Sequence, residues 1–123
     1  MVRKRKNELG EICHDIYLPR GDSDYLDLVM VDKLGNEIKP EDNDLIAIQV
    51  RKTPNGGTLL FDGAITIAQG AVTWHIQPED TEDAAVGEYV WDAQWTPEGS
   101  TDVFTFIPLS KFIITDESTE REV

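Results

Sequence analysis

Disulfides can play no part within this chain, because Cys13 is the one cysteine among 123 residues. A chain of this length buries a core without such staples, and one domain is expected. Histidine is equally scarce, with only His14 and His75. Long apolar runs are missing too: none approaches the roughly 20 residues that a membrane helix requires. The opening MVRKRKNELGEICHD has a basic cluster with no apolar segment behind it, so neither a secretory signal nor a membrane partner is expected. Outside that cluster basic residues are few. Arg3, Lys4, Arg5 and Lys6 hold four of the eleven, leaving seven Lys or Arg against 24 acids and a formal net charge of −13. A body so acidic repels phosphate, so nucleic-acid binding through the domain face is not expected.

What the chain does have is a period of two. In residues 25–31, Leu26, Leu28 and Met30 share one face, and Tyr25, Asp27, Val29 and Val31 the other. Residues 44–51 put Ile46, Ile48 and Val50 inward, and residues 71–76 do the same with Val72, Trp74 and Ile76. Glycine-bearing turns at 32–36, 53–57 and 96–100 reverse the chain between such runs. The best helical candidate, 78–85, is one or two turns with proline at its start, acids in its first turn and Gly87 beyond it. About seven strands result, at 11–18, 24–31, 44–51, 58–67, 71–76, 87–96 and 102–115. The fold class predicted is all-β, an immunoglobulin-like antiparallel β-sandwich spanning 11–115, with a basic arm at 1–10 and an acidic tail at 116–123. Its core is expected to include Leu26, Leu28, Ile46, Ile48, Val50, Trp74, Tyr89 and Trp91.

Two short motifs have structural explanations. Arg20-Gly21-Asp22 matches a cell-attachment tripeptide, but Pro19 ends one strand and Tyr25 opens the next, so a tight connection accounts for each residue. Tyr89 follows an acidic corner and Gly87, which resembles the tyrosine corner of immunoglobulin-like sandwiches, where the hydroxyl bonds back to upstream backbone. Trp91 lies two residues on, on the same face, and is expected to meet Trp74 in the core.

Chemistry finds little to work with. Cys13 and His14 are neighbours, and neighbours on a strand point to opposite faces. A buried structural thiol is the expected role for Cys13. No glycine-flanked serine or glycine-rich phosphate loop is present, and no convergent acid–base set, so no catalysis is expected. The acidic turns, Glu41-Asp42-Asn43-Asp44 above all, offer oxygens to calcium but lack the twelve-residue loop pattern, and they read as solvated turns. No cofactor is expected. The functional parts are then surfaces.

Two segments, 20–51 and 70–95, carry a resemblance. The first runs Gly-Asp-Ser, the strand Tyr25 to Val31, the turn 32–36, and a strand closing on Ile48-Gln49-Val50-Arg51-Lys52. The second runs Gly-Ala-Val-Thr-Trp-His-Ile, Pro78-Glu79-Asp80-Thr81, and Gly87-Glu88-Tyr89-Val90-Trp91-Asp92-Ala93-Gln94-Trp95. Over roughly residues 18–115 the chain resembles the N-terminal β-domain of phage upper baseplate proteins and the short phage or prophage structural proteins similar to it. The resemblance implies a non-catalytic building block of the virion, made in the host cytoplasm, whose partners are other virion structural proteins and further copies of itself. The basic Arg3, Lys4, Arg5 and Lys6 and the acidic Asp116, Glu117 and Glu120 are the subunit contacts expected. The alternative is a secreted carbohydrate-binding or adhesion module, which would use an exposed aromatic such as Trp95.

Overall fold

A computed structural model of the chain describes residues 1–32 and 34–116. Among these the fold is all-β. The strands are β1 (Val2–Lys6), β2 (Ile12–Pro19), β3 (Asp24–Leu28), β4 (Met30–Val31), β5 (Glu37–Ile38), β6 (Leu45–Arg51), β7 (Leu59–Asp62), β8 (Ala64–Ala68), β9 (Ala71–Ile76), β10 (Gly87–Thr96) and β11 (Phe104–Thr115). A single turn of helix, α1 (Pro78–Thr81), lies between β9 and β10. One sheet has six strands in the order β1-β2-β11-β10-β6-β7, a second has three in the order β3-β9-β8, and β4 pairs with β5 alone.

Three features depart from the expected seven antiparallel strands. First, β2 and β11 run parallel, Phe112 to Thr115 facing Ile16 to Pro19, so the large sheet is mixed. Second, residues 58–67 are two strands in different sheets. Gly63 is the corner where the chain crosses: its amide donates to the Ile48 carbonyl at 2.8 Å. A Cβ there would stand 2.9 Å from the Cβ of Ile48 and 3.0 Å from Nε1 of Trp74, so glycine is needed for close approach rather than for a turn. Third, residues 24–31 break at Val29, which is 57% exposed, and β4 turns away to pair with β5. Asp32 closes the turn between β4 and β5 by accepting from the amides of Leu34 and Asn36.

The core lies between the two larger sheets. Ile46, Ile48 and Val50 of β6, Trp74 of β9, and Tyr89 and Trp91 of β10 are buried, while Leu26 and Leu28 of β3 are half-buried against them. The ring of Trp74 sits 5.1 Å from Trp91, 6.0 Å from Phe112 and 6.3 Å from Phe61, so one side chain of the small sheet touches three strands of the large one. Truncating so central an aromatic to Ala costs about 3–5 kcal/mol. The Tyr89 hydroxyl donates to the Ala85 carbonyl at 2.8 Å. α1 is shorter than the 78–85 expected. Its amide at Gln77 is held by the Asp80 carboxylate, and the buried Thr81 turns its hydroxyl to the 20–23 loop instead of prolonging the helix.

Candidate functional site

The basic segment expected as a free arm is the edge strand β1, paired in register with β2 from Val2↔Ile16 to Lys6↔Ile12. Alternation divides its charges between two faces. Arg3 and Arg5 lie on the outer face, opposite Asp15 and Cys13. The Arg5 guanidinium is forked on the Asp15 carboxylate at 2.7 and 3.2 Å, and the Arg3 guanidinium lies 5.3 Å from the centre of the Tyr17 ring. Asp15 is only 4% exposed. Burial pushes its carboxyl up, but Arg5 and the Lys111 amide outweigh that and hold it below the usual carboxylate range. Asp15, in turn, repairs the sheet. Pro108 has no amide to offer, β11 bulges opposite Trp91 and Ala93, and its parallel ladder with β2 begins only at Phe112. Across the gap Ser110 Oγ donates to the Pro108 carbonyl and accepts the His14 amide, while Asp15 accepts the Lys111 amide at 2.9 Å. Two of the four basic residues assigned to subunit contact are therefore built into the fold.

The inner face of β1 is different. Val2, Lys4 and Lys6 lie on the side of β2 that carries Ile12, His14 and Ile16. Here the small sheet ends at β3, and a groove of about 850 Å³ opens between β3 on one wall and β1, β2 and the first half of β11 on the other. Its lining is mainly apolar: Val2, Ile12, Tyr25, Val29 and Val31 are exposed, above half-buried Leu26, Leu28 and Phe106. His14 reaches into it with Nδ1 lacking a partner among the described residues. Burial and the nearby Lys4 keep its imidazole below the ordinary histidine range, so it stands neutral near pH 7. Sequence reasoning placed none of this surface. The available signal was the apolar Tyr25, Val29 and Val31 on what an alternating strand should expose to water.

The other residues singled out are occupied in local structure. Cys13 is fully buried with its thiol toward the Leu109 carbonyl, on the face of β2 away from His14. In the tripeptide 20–22, Gly21 is buried and its amide donates to Thr81 Oγ1 at 2.8 Å, while the Arg20 amide donates to Thr115. Asp44 ties its own loop to β10 and to the turn after it: its carboxylate accepts from the Glu98 amide, the Trp95 indole and the Glu41 amide, and these bonds, Glu98's first, hold it below the usual carboxylate range. Trp95 is thereby pinned, half-buried and 5.5 Å from the Phe104 ring, rather than displayed as a flat platform. Among the described residues no group of three or more His, Cys, Asp or Glu is placed to hold a metal ion. No helix among them is long and apolar enough to cross a membrane. Asp116 is exposed at the end of β11, and Glu117 and Glu120 lie outside the described residues.

One smaller hollow, of about 330 Å³, sits on the outer face of the large sheet over Gln49, Arg51, Asp92 and Gln94. Burial pushes the Asp92 carboxyl up against the pull of Arg51, but Arg51 is already spent on the Gly57 carbonyl and Gln49. No family model matches the chain, and no curated protein or solved structure matches it either.

Proposed function

We propose that this protein is a bacteriophage virion structural component, of the tail, baseplate or connector, that works by binding neighbouring subunits during particle assembly and catalyses nothing. The observation that carries the reading is the groove beside β1. It is an exposed apolar surface ringed by charge at the end of two sheets, which is the make-up of a contact between proteins. The order of strands and turns that resembles the phage upper baseplate β-domain supplies the biological setting. Lys4, Lys6 and Asp116, together with Glu117 and Glu120 outside the described residues, are the charged contacts this reading keeps, while Arg5 is engaged by Asp15 and Arg3 lies near the Tyr17 ring.

An immunoglobulin-like sandwich is the finer fold within this proposal. Such domains oppose a sheet containing the G-F-C-C′ strands to one containing B-E-D. Here β11-β10-β6-β7 lies opposite β3-β9-β8, in matching order. The Tyr89 hydroxyl bonded to Ala85 supports the same assignment. In antibody domains the position two residues after that tyrosine is a disulfide cysteine; here it is Trp91, and its packing on Trp74 takes over the pinning of one sheet to the other.

Particles purified from cells that carry the gene test the function. Mass spectrometry should find the chain at a fixed stoichiometry to the tail proteins, and antibody labelling should mark one location on every particle. Complete particles without the chain would refute the proposal.

A further inference from the structure

The groove beside β1 is bounded in two different ways. On β2 it is lined by alternate residues, Ile12, His14 and Ile16, so it lies over one face of the large sheet. On β3 it is lined by residues 25–29 in succession, the exposed Tyr25 and Asp27 as well as the half-buried Leu26 and Leu28, so there it runs along the edge of the small sheet. Among the described residues β3 pairs with β9 alone. The backbone of Tyr25 is turned to that edge. Its amide donates to the Asp24 carboxylate at 2.8 Å, and its ring lies 4.1 Å from His75 on β9, the closeness that marks a non-hydrogen-bonded pair of an antiparallel ladder. Asp27, two residues on, has the same orientation, so both residues offer an N–H and a C=O to the groove. A strand edge above an apolar floor is the seat of an added strand.

We propose that a neighbouring subunit of a different kind adds an extended segment to β3 in this groove, as a fourth strand of the small sheet, apolar at the alternate positions that face β2 and basic at those between. The backbone of the segment pairs with Tyr25 and Asp27. Its inward side chains cover Ile12 and Ile16, and a hydroxyl between them meets Nδ1 of His14, which has no partner among the described residues. Its outward side chains share a face with Asp27, which is exposed and in no ion pair among the described residues. Charge selects the basic partner. The lining of the groove sets Glu11, Asp27 and Asp32 against Lys4, in a chain of formal net charge −13. Lys4 lies across from His14 on the inner side, not on the outward face that the cations take. Residues 117–123, outside the described residues, are acidic with Val123 their one apolar member, so they match neither the floor nor the charge. The β3 strand of a second copy is itself acidic, and paired antiparallel it would put both large sheets on one side, where β1 and β2 of each copy would overlap. The inference deepens the assembly reading and rests on it in taking the groove as a subunit contact.

A short synthetic peptide, lysine alternating with valine, threonine and valine, tests this on the whole chain. Nuclear magnetic resonance follows its addition up to about 5 mM, where even a weak complex is populated. Shifts are expected along β3 and at Ile12, His14 and Ile16, with slowed exchange of the Tyr25 and Asp27 amides and no change at β7 and β8. A scrambled peptide of the same composition, and so the same charge, should bind about tenfold or more weakly, because it cannot keep its apolar residues on one side. Asp27→Lys should weaken the lysine peptide about threefold to tenfold and favour one with glutamate in its place. That position is exposed, so the variant should melt with the parent. Asp24→Ala should tighten binding about threefold or more, since the Tyr25 amide then has no rival acceptor. No shift at β3, shifts centred on β7 or β8, equal binding of the scrambled peptide, or indifference to either substitution would overturn the proposal. In purified particles, a β3 that exchanges as fast as in the free chain sinks the added strand and spares the virion role. A chain that binds the peptide as expected but is absent from particles does the reverse.

Discussion

Phenylalanine placed at Trp74 and at Trp91 should give unequal losses of stability, although the two residues look alike in the core. Both are essentially unexposed, and their rings touch each other. Their indole nitrogens differ. Trp91 Nε1 donates to the His14 carbonyl at 3.1 Å, whereas Trp74 Nε1 is buried with no partner among the described residues, facing the tight corner at Gly63. Trp→Phe deletes about the same apolar bulk at either site, costing roughly 2 kcal/mol in lost transfer energy and residual cavity. At Trp91 the lost hydrogen bond adds about 1 kcal/mol. At Trp74 the change removes a donor that had been stripped of water for nothing, which returns about 1–3 kcal/mol. Trp91→Phe is therefore expected to cost about 3 kcal/mol and Trp74→Phe close to zero, a gap of about 2 kcal/mol or more. Urea titration with an unchanged slope measures both. Equal losses, or a larger loss at Trp74, would refute the assignment of the two nitrogens.

Tyr89→Phe should cost about 0.5–1.5 kcal/mol by freeing the Ala85 carbonyl, read as a lower urea midpoint with the fold intact. Deleting residues 1–7 should lower the melting temperature, because it strips Arg5 from the buried Asp15 and the terminal ammonium from the Tyr17 carbonyl; an unchanged melt would show that β1 contributes nothing to the sheet. Asp44, Asp32 and Asp15 all have carboxyls depressed in the folded state, so the unfolded chain takes up protons first as pH falls. Their stabilisation is complete above the unfolded carboxylate value of about 4 and fades below it, and Asp44→Asn should shallow that loss in urea titrations between about pH 5 and pH 2.5.

Period two made the strands legible wherever one face is buried and the other wet. Residues 44–51 and 71–76 alternate cleanly because each is an inner strand or lies between two neighbours, and β6 and β9 fall there. Pattern failed where a strand changes sheet without changing composition. Leu59 to Ile67 reads as one apolar run, and only Gly63, a residue with many other uses, marks the crossing. It failed also at β1, whose five residues are all exposed and whose strand status comes from pairing with β2 rather than from hydrophobicity. A run of four cations reads as a solvated arm unless the acid that binds it is seen, and Asp15 lies ten residues away with nothing local to announce burial. The groove was hidden for a related reason: it exists because two sheets have different numbers of strands, a property of topology that no stretch of sequence carries.

The alternation of β1 gives one short basic segment two separable tasks. Odd-numbered Arg3 and Arg5 face the outer side, where guanidinium geometry matters: a fork on a buried carboxylate and a flat cation near a tyrosine ring are both poorly served by lysine. Even-numbered Lys4 and Lys6 face the groove side, where a flexible point charge can settle on an incoming acid without a fixed geometry. Arginine and lysine thus alternate in step with the pleat, so that the residues able to make directional bonds complete the fold and those left over stand at its edge. Because Asp15 also bridges to the Lys111 amide across the gap left by Pro108, whatever holds β1 in place also holds β2 to β11. That seam is one wall of the groove. An assembly contact at β1 therefore bears on a junction of the large sheet that side chains complete beside its backbone ladder, and a partner docking at β1 would tighten the strand that keeps Arg5 on Asp15.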